Sequence, residues 1–111
     1  MRFIGLKNCD TCRKALKALE AAGVVPDVSD VRADGLQADD ITGILSTHGD
    51  KAINRASTTW RGLSEADKSR EPAELLALHP TLLKRPAIYA NGVWSIGWKA
   101  DVAAMRLGET D

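Results

Sequence analysis

Neither sign of charge is in excess in this chain. Fifteen Lys and Arg stand against fifteen Asp and Glu, for a formal net charge of zero, and no basic block is present to track a phosphate backbone, which argues against nucleic acid as a direct partner. Long apolar runs are missing as well. No stretch nears the roughly 18 residues that a membrane span requires, and the apolar part of Met1-Arg2-Phe3-Ile4-Gly5-Leu6-Lys7 is too short for a signal-peptide core. A soluble, cytoplasmic protein with no membrane partner is the expectation. There are no internal repeats and no low-complexity segments, and cysteine is scarce, at two residues in 111. A chain of this length fits one domain, residues 1–111, and buries on the order of 65% of its unfolded surface without disulfide or metal staples. In a reducing compartment two cysteines point to catalysis, redox sensing or metal binding rather than to a structural bridge.

What is present has a readable order. Phe3 to Leu6 is a short apolar run and reads as a first strand. From Asp10 onward Cys12, Ala15, Leu16, Leu19 and Ala22 recur at three- and four-residue steps, with Arg13, Lys14, Lys17 and Glu20 on the other side and Gly23 at the helix end. That spacing predicts an amphipathic helix. Val24 to Val31 is a weaker strand, placed by Pro26 at a sheet edge or starting after the proline. Ala33-Asp34-Gly35 has turn chemistry, and Ile41, Ile44 and Leu45 predict a second helix that stops at Gly49. Asp50 to Gly62 has no clear period and reads as loop with short turns. Ser64-Glu65-Ala66-Asp67 has capping-box spacing, and Pro72 opens another helix that His79-Pro80 ends. The strongest local signal is Ala87 to Ala90, Asn91-Gly92, Val93 to Ile96, because Asn-Gly supplies the positive φ angles of a tight hairpin turn. Trp98 to Leu107, ended by Gly108, reads as a closing helix, with Trp94 and Trp98 as packing residues.

Cys9-Asp10-Thr11-Cys12 falls where the first strand hands over to the first helix, a context in which C-x-x-C reads as a redox pair. At or just before the helix N-cap, Cys9 meets unpaired N–H groups and the positive end of the helix dipole, both of which favour a thiolate. Cys9 is therefore the candidate nucleophile. Residues three apart on a helix stand about 5–6 Å apart at Cβ, close to the roughly 3.5–4.5 Å of a disulfide, so Cys12 can resolve a mixed disulfide. Its place in line with Leu16 and Leu19 makes it the more buried sulfur, with the higher pKa. Arg13 and Lys14 would lower the Cys9 pKa and Asp10 would raise it, and the sequence does not give the sign of the sum. A zinc site would have to recruit His48 and His79, which lack the short spacing of structural fingers. Both histidines follow helices and suit the negative dipole end there.

Gly5-Leu6-Lys7-Asn8-Cys9-Asp10-Thr11, Asp34-Gly35-Leu36, Asn54-Arg55 with Thr58-Thr59-Trp60-Arg61, Leu83-Lys84-Arg85-Pro86 and Gly97-Trp98 together resemble the arsenate reductase (ArsC/Spx/YffB) family, the YffB-type branch above all. The resemblance implies an α/β, thioredoxin-like fold: a four-stranded mixed sheet flanked by helices, with an inserted helical segment. It implies that Cys9 is catalytic, that Arg85 is a fixed cation beside it, and that Pro86 follows a cis peptide bond. Asn8, Thr11, Arg55, Arg61 and Pro86 are the expected substrate-binding positions, with either Arg55 or Arg61 as a second anion contact. Trp60 is expected to pack rather than to serve as a platform. Arsenate-reducing members carry a further arginine where this chain has Gly97, and many members lack a cysteine at the position of Cys12, whereas Spx-like regulators have the pair.

The leading expectation is a thiol-disulfide reductase, acting as a monomer with no bound cofactor or metal. By resemblance its electron donor is glutathione, or else glutaredoxin or thioredoxin, and its substrate a small thiol or oxyanion. The alternatives are an arsenate reductase coupled to glutathione and glutaredoxin, and a regulator that binds RNA polymerase and uses the cysteine pair as an oxidation switch.

Overall fold

The computed structural model describes residues 1–108. Four strands, β1 (Arg2–Gly5), β2 (Asp27–Asp30), β3 (Ala87–Ala90) and β4 (Val93–Ile96), form one sheet in the order β2-β1-β3-β4. β1 pairs with β2 in parallel and with β3 antiparallel, and β3 pairs antiparallel with β4, so the sheet is mixed. Helix α1 (Asp10–Ala21) makes the crossover that a parallel pair demands. The remaining helices are α2 (Val31–Asp34), α3 (Ala38–His48), α4 (Thr58–Arg61), α5 (Glu65–Lys68), α6 (Pro72–Leu78) and α7 (Ala100–Leu107), with 3₁₀ turns at Gly49–Ala52 and Pro80–Leu82. This is the expected α/β, thioredoxin-like arrangement.

The chain divides into two compact units. The first takes Met1–Asp30 and the chain from Arg85 on; it holds the whole sheet, α1 and α7. Its core is Phe3, Cys12, Ala15, Leu19 and Ile88, all buried, with Met1, Cys9, Leu16, Val24, Trp98 and Leu107 packed around it. Burying a side chain such as Phe3, Leu19 or Ile88 contributes about 1.5–3 kcal/mol each. Helix α1 ends in the hydrogen bonds of a Schellman motif, Val24 N–H to Leu19 O at 2.9 Å and Gly23 N–H to Glu20 O at 3.0 Å, with Gly23 at φ +84°.

Arg106 of α7 is fully buried in the same unit. Its guanidinium donates from Nε to Ser95 Oγ (3.0 Å), from Nη1 to the carbonyl of Ala90 (3.2 Å), and from Nη2 to those of Ile88 (2.9 Å) and Val93 (2.7 Å). One side chain thus ties the helix to both arms of the hairpin.

The second unit is Val31–Lys84, the inserted helical segment. Its buried residues include Val31, Ile41, Ile44, Leu75, Leu76 and Leu82. It closes on itself through Asn54 N–H to Leu82 O at 2.7 Å, Lys84 N–H to Ala52 O at 2.8 Å, and an antiparallel bridge between Ile53 and Leu83.

The sequence and the structure part in four places. The first strand ends at Gly5 rather than Leu6, because both backbone groups of Leu6 are directed at the cysteines, as described below. The second strand starts after Pro26 and lies at the sheet edge, both as expected, but it ends at Asp30 and Val31 opens a helix instead. Ala33-Asp34 completes that single helical turn, which stops at Gly35 with φ +69°. The stretch from Asp50 to Gly62, expected as loop with short turns, is that: it contains a 3₁₀ turn and the single turn α4, which Ser57 caps by accepting the Trp60 N–H at 3.2 Å. The closing helix begins at Ala100, not Trp98. The hairpin falls where the sequence places it, with Asn91 and Gly92 at φ +53° and +79° and Ala90 facing Val93.

Candidate active site

The site grows out of the last residues of β1. Cys9 N–H donates to Leu6 O at 3.0 Å and Lys7 N–H donates to Asp30 Oδ2 at 2.9 Å, which fixes the turn between strand and helix. Cys9 is then the N-cap of α1, with extended dihedrals (φ −94°, ψ 116°), and its carbonyl accepts the Arg13 N–H at 3.0 Å. Its sulfur makes no capping hydrogen bond of normal geometry. The N–H of Cys12 nonetheless favours its thiolate.

Two unlike sulfurs result. Cys9 is half-buried, and burial opposes its ionisation; the Cys12 N–H, the Cys12 thiol, and the charge and hydrogen bond of Arg85 together outweigh that, so its pKa lies below the ordinary thiol value. Cys12 is only 2% exposed. Burial, reinforced by the neighbouring Cys9, pushes its pKa up to about 12, against smaller downward effects of the Leu6 N–H and Arg85. Cys9 therefore ionises first, and the Cys12 thiol donates to it.

Arg85 reaches the pair from the start of β3, and the Arg85–Pro86 peptide is cis. The Pro86 carbonyl accepts the Gly97 N–H at 3.0 Å, which joins the entry of β3 to the exit of β4. Gly97 has φ +78°, a region where any side chain is strained. An arginine at that position would require a different backbone.

The ArsC family model matches residues 4–105. The chain belongs to the ArsC family. An uncharacterized protein of Haemophilus influenzae is 40% identical over 99 residues, which cover 85% of this chain and 87% of that one. Among solved structures, the YFFB (PA3664) protein is 34% identical, with a TM-score of 0.87 over 95% of this chain and 96% of its own. An arsenate reductase (ArsC) related protein from Brucella melitensis is 33% identical, with a TM-score of 0.69 over 91% and 90% of the two chains.

In this ArsC-family chain Cys9, Cys12 and Arg85 come together in the first unit, with Pro86 next to Arg85 across the cis bond. Asn8 lies exposed in the turn before Cys9, and Thr11 lies exposed on the first turn of α1. Arg13, expected as a charge near Cys9, pairs instead with Asp10 on the outer face of α1, and the cation that acts on Cys9 is Arg85. Arg55 and Arg61 belong to the second unit and are engaged there. Arg55 pairs with Asp50 at 3.6 Å and lies 5.2 Å from the centre of the Trp60 ring, while Arg61 donates to the Ala56 carbonyl at 3.1 Å. Lys68 Nζ also approaches that ring, at 5.7 Å, so the half-buried Trp60 has two cationic neighbours. Among the described residues no cluster of three or more His, Cys, Asp or Glu could hold a metal ion, and no helix is long and apolar enough to cross a membrane.

Sequence reasoning missed the part that Gly5 and Leu6 play. A Cβ on Gly5 would lie 3.1 Å from Cys12 Sγ, and Leu6 offers its N–H to Cys12 and its carbonyl to Cys9. The available signal was a glycine at the end of a strand that leads into C-x-x-C.

Proposed function

We propose that this ArsC-family protein is a cytoplasmic thiol-disulfide reductase that draws electrons from glutathione. One observation carries the reading: a half-exposed cysteine at a helix N-cap has its pKa lowered beside Arg85, with a buried, protonated thiol one turn below. In the first step the Cys9 thiolate attacks one sulfur of a disulfide R–S–S–R′. A Cys9–S–S–R bond forms, the S–S bond of the substrate breaks, and R′–S⁻ leaves with the electron pair and takes a proton from water.

Cys12 then attacks Cys9 Sγ and expels R–S⁻, or glutathione attacks the R sulfur instead, forming G–S–S–R and freeing the Cys9 thiolate. When Cys12 attacks, its proton passes to solvent, and the Cys9–Cys12 disulfide is reduced by two glutathione molecules that leave as glutathione disulfide. Capture of Cys9 itself promotes this step. The charge on Cys9 that helps raise the Cys12 pKa is lost in the mixed disulfide, while Arg85, which lowers it, remains. In this reading Arg85 also binds a substrate carboxylate, and Asn8, Thr11 and Pro86 line the approach to Cys9.

The test replaces Cys9 and Cys12 separately by Ser and follows glutathione-dependent reduction of a mixed-disulfide substrate. Cys9→Ser is expected to abolish turnover, and full activity without Cys9 would end the proposal. Activity retained in Cys12→Ser assigns the second step to glutathione. The Brucella melitensis relative, described as arsenate reductase related, supports arsenate as a second substrate to try in the same assay with glutathione and glutaredoxin.

A further inference from the structure

We infer that Gly5 is a positioning residue for Cys12: by lacking a Cβ it lets the second sulfur settle against the end of β1, within reach of Cys9. The inference rests on the reading of Cys12 as a resolving thiol. Glycine weakens a strand and has no side chain to pack, and nothing in the Gly5 backbone calls for it, since its φ is not positive. Its use here is space. A Cβ at Gly5 would stand 3.1 Å from Cys12 Sγ, 3.4 Å from Cys12 Cβ and 2.9 Å from Phe3 Cε1. Phe3 is fully buried and Cys12 nearly so, so neither can move aside without disturbing the core.

The same short segment holds both cysteines through its backbone. Leu6 N–H is directed at the Cys12 sulfur, and the Leu6 carbonyl accepts the Cys9 N–H at 3.0 Å. Gly5 and Leu6 thus set where Cys12 Sγ lies relative to Cys9. A methyl group at residue 5 displaces that sulfur from the Leu6 amide and changes its line of attack on Cys9. Intramolecular reactions depend steeply on such alignment, and a misplacement of about 1 Å can cost on the order of 100-fold. The first step is affected less: a displaced Cys12 thiol gives up its own hydrogen bond to Cys9, but the Cys12 N–H and Arg85 still stabilise the thiolate.

An aromatic disulfide such as 5,5′-dithiobis(2-nitrobenzoate), ArS–SAr, separates the two steps. Cys9 attacks it to give Cys9–S–SAr and one coloured ArS⁻; Cys12 then loses a proton to solvent and attacks Cys9 Sγ, which gives the Cys9–Cys12 disulfide and a second ArS⁻. Two thiols supply the two electrons that the reagent accepts. In Gly5→Ala the first release is expected to stay within a few-fold of the parent, and the second to slow on the order of 10- to 100-fold. The double variant Phe3→Leu/Gly5→Ala makes room for the ring and keeps the clash with sulfur, so its second release should remain slow. Recovery of the second release in the double variant would assign the effect to Phe3, and equal slowing of both releases would assign it to general disruption; either result overturns the inference. If the parent protein releases one equivalent only, with Gly5→Ala indistinguishable from it, the resolving role of Cys12 fails and this inference goes with it.

Discussion

Replacing Arg106 with Met tests how the hairpin is held to α7. The hydrogen bonds of the native side chain include four of 2.7–3.2 Å, to Ser95 Oγ and to the carbonyls of Ile88, Ala90 and Val93, from a fully buried position. A hydrogen bond to a charged group nets about 1.5–3 kcal/mol, which would make four worth about 6–12 kcal/mol if they were independent. They are not, because all four share the cost of taking one guanidinium out of water. Met fills much of the vacated volume but leaves the four acceptors without this donor. The loss therefore resembles that of breaking a buried polar cluster, about 3–5 kcal/mol, a large part of the roughly 5–15 kcal/mol that holds a domain folded. Trp94 lies in β4, so its fluorescence follows the hairpin during equilibrium urea unfolding. With a urea m-value of about 1.5 kcal/mol/M, the midpoint should fall by about 2–3 M. Arg106→Lys keeps the charge without the planar fork and should fall between the two. A midpoint for Arg106→Met that corresponds to a loss under about 1 kcal/mol would show that the buried guanidinium is not the clasp described here.

Two further predictions concern the cysteines. Arg85→Gln removes a charge and a hydrogen bond that lower the Cys9 pKa, so the pH profile of iodoacetamide alkylation at Cys9 should move to higher pH, and Arg85→Lys should restore part of the shift; a profile that does not move refutes the role of Arg85. Burial pushes the Cys12 pKa in the folded state up to about 12, from an ordinary thiol value of 9.0. Its protonated form therefore favours folding fully below pH 9, and that contribution is lost between about pH 9 and 12, by about 1.4 kcal/mol per pH unit, as the unfolded chain ionises first. Cys12→Ala should lose stability less steeply than the parent over that window in urea titrations, and equal slopes would contradict the buried-thiol assignment.

The parts of the fold that were legible in the sequence are those in which local chemistry decides conformation. Asn91-Gly92 can hold two positive φ angles in succession, so the hairpin register followed from two residues. The start of α1 was legible because the period of its apolar residues begins at the cysteine pair. The inserted segment was harder: α2, α4 and α5 are single turns of four residues, too short to show a period. Only side-chain caps announce such turns. Ser64 was read that way and Ser57 was not, although both accept an N–H three residues on. The approach of Arg85 to Cys9 joins distant stretches of chain and came from family resemblance, since no local pattern encodes it. Arg106 was passed over because a charged residue reads as solvent-facing, yet it stands four residues after the half-buried Val102, on the inner side of its helix.

The order of the strands bears on how the protein comes into being. β1 is central in the sheet, with a neighbour made early, β2, and a neighbour made late, β3. Arg85 follows Cys9 by about 75 residues, which a ribosome adds in about 4–15 s at 5–20 residues per second. Through that interval the nascent chain carries both thiols without the guanidinium that activates one of them. Until Arg85 has been made, Cys9 has only the Cys12 N–H and thiol to favour its thiolate, so its full nucleophilicity arrives after the first strand, the first helix and the inserted segment are already in place.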